Sequence, residues 1–275
     1  MRHSRWKTRG RYLFILVIMI PTYYPMFIML ENSLKSTTDY VKDPLGWPSK
    51  LMWHNYAAAW SGIHQYFWNT LFVGVIAVLI GIAAAAMSAY VFARYKFPGK
   101  EIFFALYLGL LMIPGIMTLI GQFLEIKDLG LLNTWWSLIL PYAAGSQALG
   151  VFILRTFFAT IPEELFEAAR VDGATNGYLF LRIAVPLAIP SLGTVSILGI
   201  LNVWGDYLWP TLALSTANKY TISAGIMQYA GSFSTLVPQG NIFASYVIAA
   251  VPVMVLIGVT MRYYLAGILG GSLKL

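Results

Sequence analysis

Few residues in this sequence are arranged for covalent chemistry. Cysteine is absent, which excludes disulfides and thiolate metal sites. The three histidines, His3, His54 and His64, lack the H-x₃₋₅-H spacing of a zinc pair. No Ser/His/Asp set, H-E-x-x-H motif or pair of carboxylates inside an apolar run occurs, so no catalytic residue and no metal site is expected. A phosphate loop is missing too, because Gly99-Lys100 is followed by Glu101. Two constellations remain. One is a burst of charge within residues 161–184: Glu163, Glu164, Glu167, Arg170, Asp172 and Arg182. The other is a scatter of polar side chains in apolar runs, namely Gln122, Ser146, Gln147, Ser196 and Asn202, with Trp204, Asp206 and Tyr207 at the end of one run. Buried amides must find partners, and either a passing solute or a neighbouring helix can supply them. Such groups bind and release.

The elements that position these residues are membrane spans. Of 275 residues, 59% are hydrophobic and 11% charged, with a mean hydropathy of +0.70; a soluble domain is about a quarter charged. That excludes an ordinary soluble enzyme and a disordered chain alike. Six stretches with charge-free middles are long enough to cross a bilayer, approximately 12–30, 68–92, 102–122, 135–154, 186–209 and 243–261. The first follows a basic head (Arg2, Arg5, Lys7, Arg9, Arg11), as a signal peptide would. Its apolar run is longer than an h-region, contains Pro21 and Pro25 and has no A-x-A-like exit, so it reads as a retained anchor. Alternation places residues 1–11, 93–101, 155–185 and 262–275 on one side with 13 Lys and Arg, and 31–67, 123–134 and 210–242 on the other with 5. The positive side is cytoplasmic, so both termini are expected inside. The expected fold is an all-α membrane protein of six transmembrane helices, N-in and C-in. It divides into a cytoplasmic N-terminus (1–11), a transmembrane domain (12–264) and a cytoplasmic tail (265–275). The net charge of +7 then reports orientation, and no nucleic-acid partner is expected.

Residues 161–184 resist reading as a span, because each Asp, Lys or Arg costs about 3 kcal/mol at a helix centre. They form a cytoplasmic excursion, far longer than the ~2–8 residues that usually connect helices. Thr160-Ile161-Pro162-Glu163 has the T-x-x-E capping-box pattern with proline in the first turn. Leu165, Phe166, Ala168 and Ala169 then make an apolar stripe opposite Glu163, Glu164 and Glu167, whose charges suit a helix N-terminus. Asp172-Gly173 supplies a left-handed stop. A second short helix with Tyr178, Leu179, Phe180 and Ile183 leads to Pro186. The stripe packs either on the chain's own membrane domain or on a partner surface.

These residues resemble a known family. Glu167-Ala168-Ala169, then Gly173, then Ile183 and Pro186 match the EAA motif of membrane subunits of binding-protein-dependent ABC importers, with Val185 where Leu is usual. Asp172-Gly173-Ala174 and Phe180 look like the sugar-importing branch. Trp204-Gly205-Asp206-Tyr207-Leu208-Trp209-Pro210 is similar to the W-N-[DE]-[FY]-L-W-P run of sugar permeases, and Arg94-Tyr95-Lys96-Phe97-Pro98-Gly99 looks like the turn after their second span. The C-terminal Gly267-Ile268-Leu269-Gly270-Gly271 partly resembles the tail of the shorter permease of maltose-type importers. The resemblance implies the type I ABC importer permease fold in a prokaryotic cell membrane. It implies a companion permease, two cytoplasmic ATPases that bind ATP and Mg, an extracytoplasmic solute-binding protein, and a carbohydrate as substrate. It also implies that Glu167, Ala168, Ala169, Asp172, Gly173, Ala174 and Phe180 form the joint with the ATPase, and that Gly267, Gly270 and Gly271 touch it from the tail. Sugars are held by aromatic faces and fixed hydrogen-bonding side chains, which makes Gln122, Gln147, Asn202, Trp204, Asp206 and Tyr207 the pathway candidates. Glycerol phosphates and polyols belong to the same branch and stay open as substrates.

An ion-driven carrier normally keeps an ionisable residue in mid-span, and these spans hold none away from their ends; Asp206 lies four residues before Pro210. The energy source therefore lies outside this chain. Pro114 in the third span and Pro252 in the sixth permit bends, and Ala83–Ala86, Ser88 and Ala89 give the second span a small-residue face. Reconstituted by itself in liposomes, this chain should give no solute flux above that of empty vesicles. Flux from the chain alone would identify a self-sufficient transporter or channel instead.

Overall fold

The computed structural model describes residues 2–231 and 237–272, with side chains for 11–12, 14–231 and 237–260. Every regular element among them is helical, as a bilayer demands of single chains that must satisfy their own backbone polar groups. The chain divides into two units, Met1–His64 with Ile226–Met254, and Gln65–Gly225 with Val255–Leu275.

The first unit begins with α1 (Arg2–Ser33), whose apolar stretch Phe14–Ser33 is almost wholly exposed. Its last turn becomes polar and closes against the segment after it. Lys35 is wholly buried, with Nζ 2.8 Å from Glu31 Oε1, and donates to the carbonyls of Asp43 and Pro44 at 3.2 and 3.1 Å. Asn55 Nδ2 donates to the carbonyls of Ser33 and Lys35 at 2.9 and 3.0 Å. Between these anchors lies α2 (Thr37–Lys42), capped by the Ser36 hydroxyl. Ser49 Oγ donates to Asp39 at 2.7 Å and holds that exposed carboxyl below its ordinary range. The long segment after the first span is thus tied down along its length. The second span's helix, α3 (His54–Arg94), starts well before the expected residue 68. Ala59 and Ile63, four apart on one helical face, are both wholly buried and draw the helix out beyond its hydrophobic stretch.

In the second unit α3 is followed by α4 (Lys100–Gly109), a 3₁₀ turn at Leu110–Met112, α5 (Gly115–Asp128), α6 (Trp136–Gly145), α7 (Gln147–Thr160) and α8 (Glu163–Val171). Then α9 (Asn176–Tyr178) continues through a π-helical turn (Leu179–Ala184) into α10 (Val185–Leu187), and α11 (Ile189–Gly205) and α12 (Leu208–Ala213) come next. The chain closes with α13 (Ile222–Gly231) and α14 (Gln239–Ser272). Phe14–Ser33, α3 and Gln239–Thr260 are each long and apolar enough to cross a bilayer, and three bent pairs bring the number up to the expected six when each pair counts as one span.

The bends have identifiable causes. Lys100–Met112 meets α5 at 99°, where Pro114 lacks an N–H and drives Ile113 into extended backbone. Asn176–Leu187 meets α11 at 74°, where Pro190 near the start of α11 forbids a continuous helix. The pair α6 and α7 bend by 42° about Ser146. These breaks shift the expected boundaries. Residues 186–187 belong to the excursion side of the 74° bend, and the fifth span ends at Gly205 rather than 209. Helix α14 runs unbroken past 264, so no helix break marks the expected division between domain and tail.

Two cores hold the second unit. In one, Ala85, Ala86 and Ala89 of α3 pack with Val151, Leu154 and Phe158 of α7, Val195 of α11, and Phe166 and Leu179 of the excursion. The small-residue face of the second span is therefore a packing face: a Cβ at Gly150 would lie 3.1 Å from that of Ala85. In the other, Val73, Ala77, Leu138, Ile139 and Val203 surround Trp209, whose indole N–H donates to the Ser137 carbonyl at 2.9 Å. Gly150→Val should destabilise the purified protein by about 1–3 kcal/mol through overpacking, read as a lower melting temperature in detergent. Gly193→Val, at a site with open space around it, should leave that temperature nearly unchanged.

Candidate coupling surface and translocation cavity

The excursion begins where α7 ends. Thr160 Oγ donates to the Phe157 carbonyl at 2.7 Å instead of capping α8, whose N-cap is Pro162. The expected capping box is therefore not formed, and proline takes the cap because it has no N–H to satisfy. Phe166 is wholly buried and Ala169 half-buried in the first core, whereas Leu165, Ala168 and Val171 face outward, Val171 at 89% exposure. The inward stripe is narrower than expected, and the apolar residues divide between two faces. At the C-terminus of α8 the Gly173 N–H donates to the Arg170 carbonyl at 3.0 Å and the Ala174 N–H to the Ala169 carbonyl at 2.9 Å. This is a Schellman stop, which needs the left-handed φ of +84° that Gly173 adopts. Thr175 caps α9. Leu179 and Ala184 are wholly buried, and the Phe180 ring lies 5.1 Å from that of Tyr90 on α3. The excursion is thus a rigid helix–stop–helix with one face in the core and the other, carrying Glu164, Glu167, Ala168, Asp172 and Gly173, exposed.

A cavity of about 430 Å³ opens within the second unit, between α3, α5, α6, α7 and α11. Its size falls in the ~300–1,000 Å³ range of small-molecule sites. Its polar lining comprises Thr118, Gln122, Tyr142, Ser146, Asn202 and Asp206. Asp206 is held on both oxygens: the Tyr142 hydroxyl donates to Oδ2 at 3.0 Å, and the N–H groups of Leu208 and Trp209 donate to Oδ1 at 2.9 and 3.2 Å. It is the C-cap of α11, and its carboxylate takes the first two N–H groups of α12. Gly115 and Ile116, at the head of α5 just past the Pro114 break, also line the cavity.

Residues 77–268 match the family described as binding-protein-dependent transport system inner membrane component. The chain belongs to this family. Over 97% of its length this permease is 35% identical to the trehalose transport system permease protein SugB of Mycobacterium tuberculosis, covering 98% of that protein. It is 32% identical to the diacetylchitobiose uptake system permease protein NgcG of Streptomyces coelicolor, over 91% of this chain and 83% of that one. Among solved structures it is similar to a chain of a bacterial ABC transporter involved in the import of the acidic polysaccharide alginate. The TM-score is 0.82 at 21% identity, over 96% of this chain and 98% of that one, a likeness of fold. The permease is accordingly a non-catalytic membrane component with the fold of ABC importer permeases.

The structure sorts the permease's candidate residues. Of the coupling set, Glu167, Ala168, Asp172 and Gly173 share the exposed side of the excursion, while Ala169, Ala174 and Phe180 are half-buried against the core. Of the pathway set, Gln122, Asn202 and Asp206 line the cavity and the other three do not. Gln147 Nε2 donates to the carbonyls of Gly81 and Ala143 at 2.9 and 2.8 Å, joining α7 to α3 and α6. Trp204 is buried edge-on to Phe67, and Tyr207 is exposed. Gly267, Gly270 and Gly271 belong to the tail beyond residue 260, whose side chains lie outside the described residues. Sequence reasoning missed Tyr142. Its signal was available, since a phenol in a charge-free run needs a hydrogen-bond partner. Asp206→Ala should remove the acceptor of the Leu208 and Trp209 N–H groups at the start of α12 and lower the stability of the permease by about 1 kcal/mol, measured by thermal unfolding, whereas Asp206→Asn, which keeps the accepting oxygen, should lose only part of that.

Proposed function

We propose that this chain is one of two membrane subunits of an ATP-driven importer of a di- or oligosaccharide. The observation that carries the reading is the exposed Glu167–Gly173 face, fixed to the same core as the spans. It presents Glu167 and Ala168 of the EAA motif outward, with Ala169 packed inward, on a body whose displacement the spans must follow. Separate ATPases bind ATP and Mg and dock on this face, and an extracytoplasmic binding protein delivers the solute. The 13-to-5 distribution of Lys and Arg supports a multi-pass protein of a prokaryotic cell membrane with both termini cytoplasmic.

Sugar as the solute is supported by the names of the relatives, which concern trehalose and diacetylchitobiose. The cavity supports it chemically. Gln122 and Asn202 bring amides to an otherwise largely apolar wall, and hydroxyl-rich solutes need such donors and acceptors in a dry site. The companion permease covers the break at Pro114. Leu110, Met112, Ile116, Met117 and Ile120 around it are exposed, Met112 at 84%. Irregular backbone at membrane depth is tolerated only against protein or a water-filled cavity. The uptake cycle is a population shift between inward-open and outward-open states, driven by an ATPase whose affinity differs between them.

In proteoliposomes holding the whole complex, uptake should require ATP and the loaded binding protein, and a panel of trehalose, chitobiose, arabino-oligosaccharides, glycerol phosphate and a polyol should single out a carbohydrate. Gly173→Val should abolish uptake while leaving insertion intact. The site has open space for the side chain, so the cost is the left-handed backbone, about 1–2 kcal/mol, which breaks the stop. Normal coupled uptake in that variant would remove the role given to the excursion.

A further inference from the structure

The second span ends beside the point where the coupling helix begins, and one side chain joins the two. Arg94 is the last residue of α3, and its side chain is 9% exposed. Nη1 donates to Glu163 Oε2 at 2.9 Å, Nη2 donates to the Ile161 carbonyl, and the guanidinium carbon stands 4.2 Å from the centre of the Phe166 ring. All three partners belong to the entry of α8: Ile161 precedes its N-cap, Glu163 opens it, and Phe166 is its buried anchor. The charges also suit their places, a cation at the C-terminus of α3 and an anion at the N-terminus of α8. The other Glu163 oxygen accepts from Arg170 at 2.9 Å, so the carboxylate is braced from within α8. Among the described residues, the remaining ion pair of the second unit, Arg155 with Glu101, joins α7 to α4 and does not touch α8.

We propose that Arg94 is a positioning residue for energy coupling, carrying displacement of α8 into α3 and so to the cavity wall that Ala77, Val78 and Ile82 of α3 form. The inference rests on the reading of α8 as the ATPase dock. A planar fork can hold a carboxylate and a carbonyl together while stacking on a ring; the point charge of lysine cannot. The contact is desolvated on the arginine side, so its geometry is set by the partners rather than by water.

The test uses the complete complex in proteoliposomes, with ATP hydrolysis and uptake measured on the same sample. In Arg94→Lys and Arg94→Gln the solute taken up per ATP should fall about two- to thirty-fold, the range that changes along a coupling route produce, with the ATPase still co-purifying and still hydrolysing. Glu163→Gln should give a similar loss. The double variant Arg94→Gln/Glu163→Gln should lose no more than the worse single one, because both act through one contact. Unchanged uptake per ATP in Arg94→Gln, or losses that multiply in the double variant, would overturn the proposal. Loss of the ATPase from the Arg94→Lys complex would overturn it as well, since Arg94 would then serve assembly. Ala168→Cys cross-linking to the ATPase separates this inference from the reading beneath it. No cross-link means that α8 is not the dock; a cross-link with unchanged coupling in the Arg94 variants means that Arg94 alone was misassigned.

Discussion

Four aromatic rings gather round Tyr90. Its centroid lies 5.1 Å from Phe180, 5.8 Å from Phe158, 6.1 Å from Tyr95 and 6.4 Å from Phe166. Through these contacts α3, α7, α8 and the π-helical turn share one core. Phe166 of the excursion and Phe158 at the end of α7 are both wholly buried in this core, so the charged excursion is fastened to the spans through the same packing. A close-packed interior is stiff and passes strain along. A push on the exposed face of α8 therefore reaches α3 and α7 through rings that have nowhere else to go.

The bilayer sets the second constraint. Backbone groups at membrane depth need partners, so a helix that bends there must bend where protein or water can satisfy it. The break at Pro114 meets this on one side by opening the head of α5 toward the cavity, where Gly115, Ile116 and Thr118 form part of the lining. The 74° break before α11 turns the chain from the excursion into the fifth span. Asp206 then ends that span with its carboxylate satisfied by two N–H groups and the Tyr142 hydroxyl. Of the breaks in the bent helix pairs, those at Pro114 and Ser146 thus border the cavity.

Much of this was legible in the residues. The spans follow from runs of apolar residues that no loop could bury, and their number survives in the structure. Gly173 was legible as a stop because only a residue without a Cβ enters the left-handed region cheaply, and the structure shows φ of +84° there. The EAA spacing was legible as a motif, but the face it leaves free was not, because Ala169 turns toward the core while Glu167 and Ala168 stay exposed. The misreadings have physical causes. Hydropathy marks where a helix can sit in lipid and says nothing of where it ends, so α3 ran back to His54 on the strength of Ala59 and Ile63. The T-x-x-E pattern suggested a cap, but Pro162 occupied that position and Thr160 bonded backward along α7. Gln147, Trp204 and Tyr207 looked as suitable for a solute as Gln122 and Asn202 did. Which polar side chain meets a neighbouring carbonyl and which meets a cavity depends on helix rotation, which periodicity leaves open.

By itself, then, the sequence determined the class of protein, the number of its apolar spans, and the excursion and its stop. Each of these depends on composition and local pattern, through desolvation of charge and the conformational reach of Gly and Pro. Only the tertiary structure decided which polar residues face the cavity, which face of α8 is left free, and that Arg94 at the end of one helix grips Glu163 at the start of another. Those two residues stand 69 positions apart. Their meeting is a property of how α3, α7 and α8 pack, because the direction in which a helix enters the core is set by side chains far along the chain from its own.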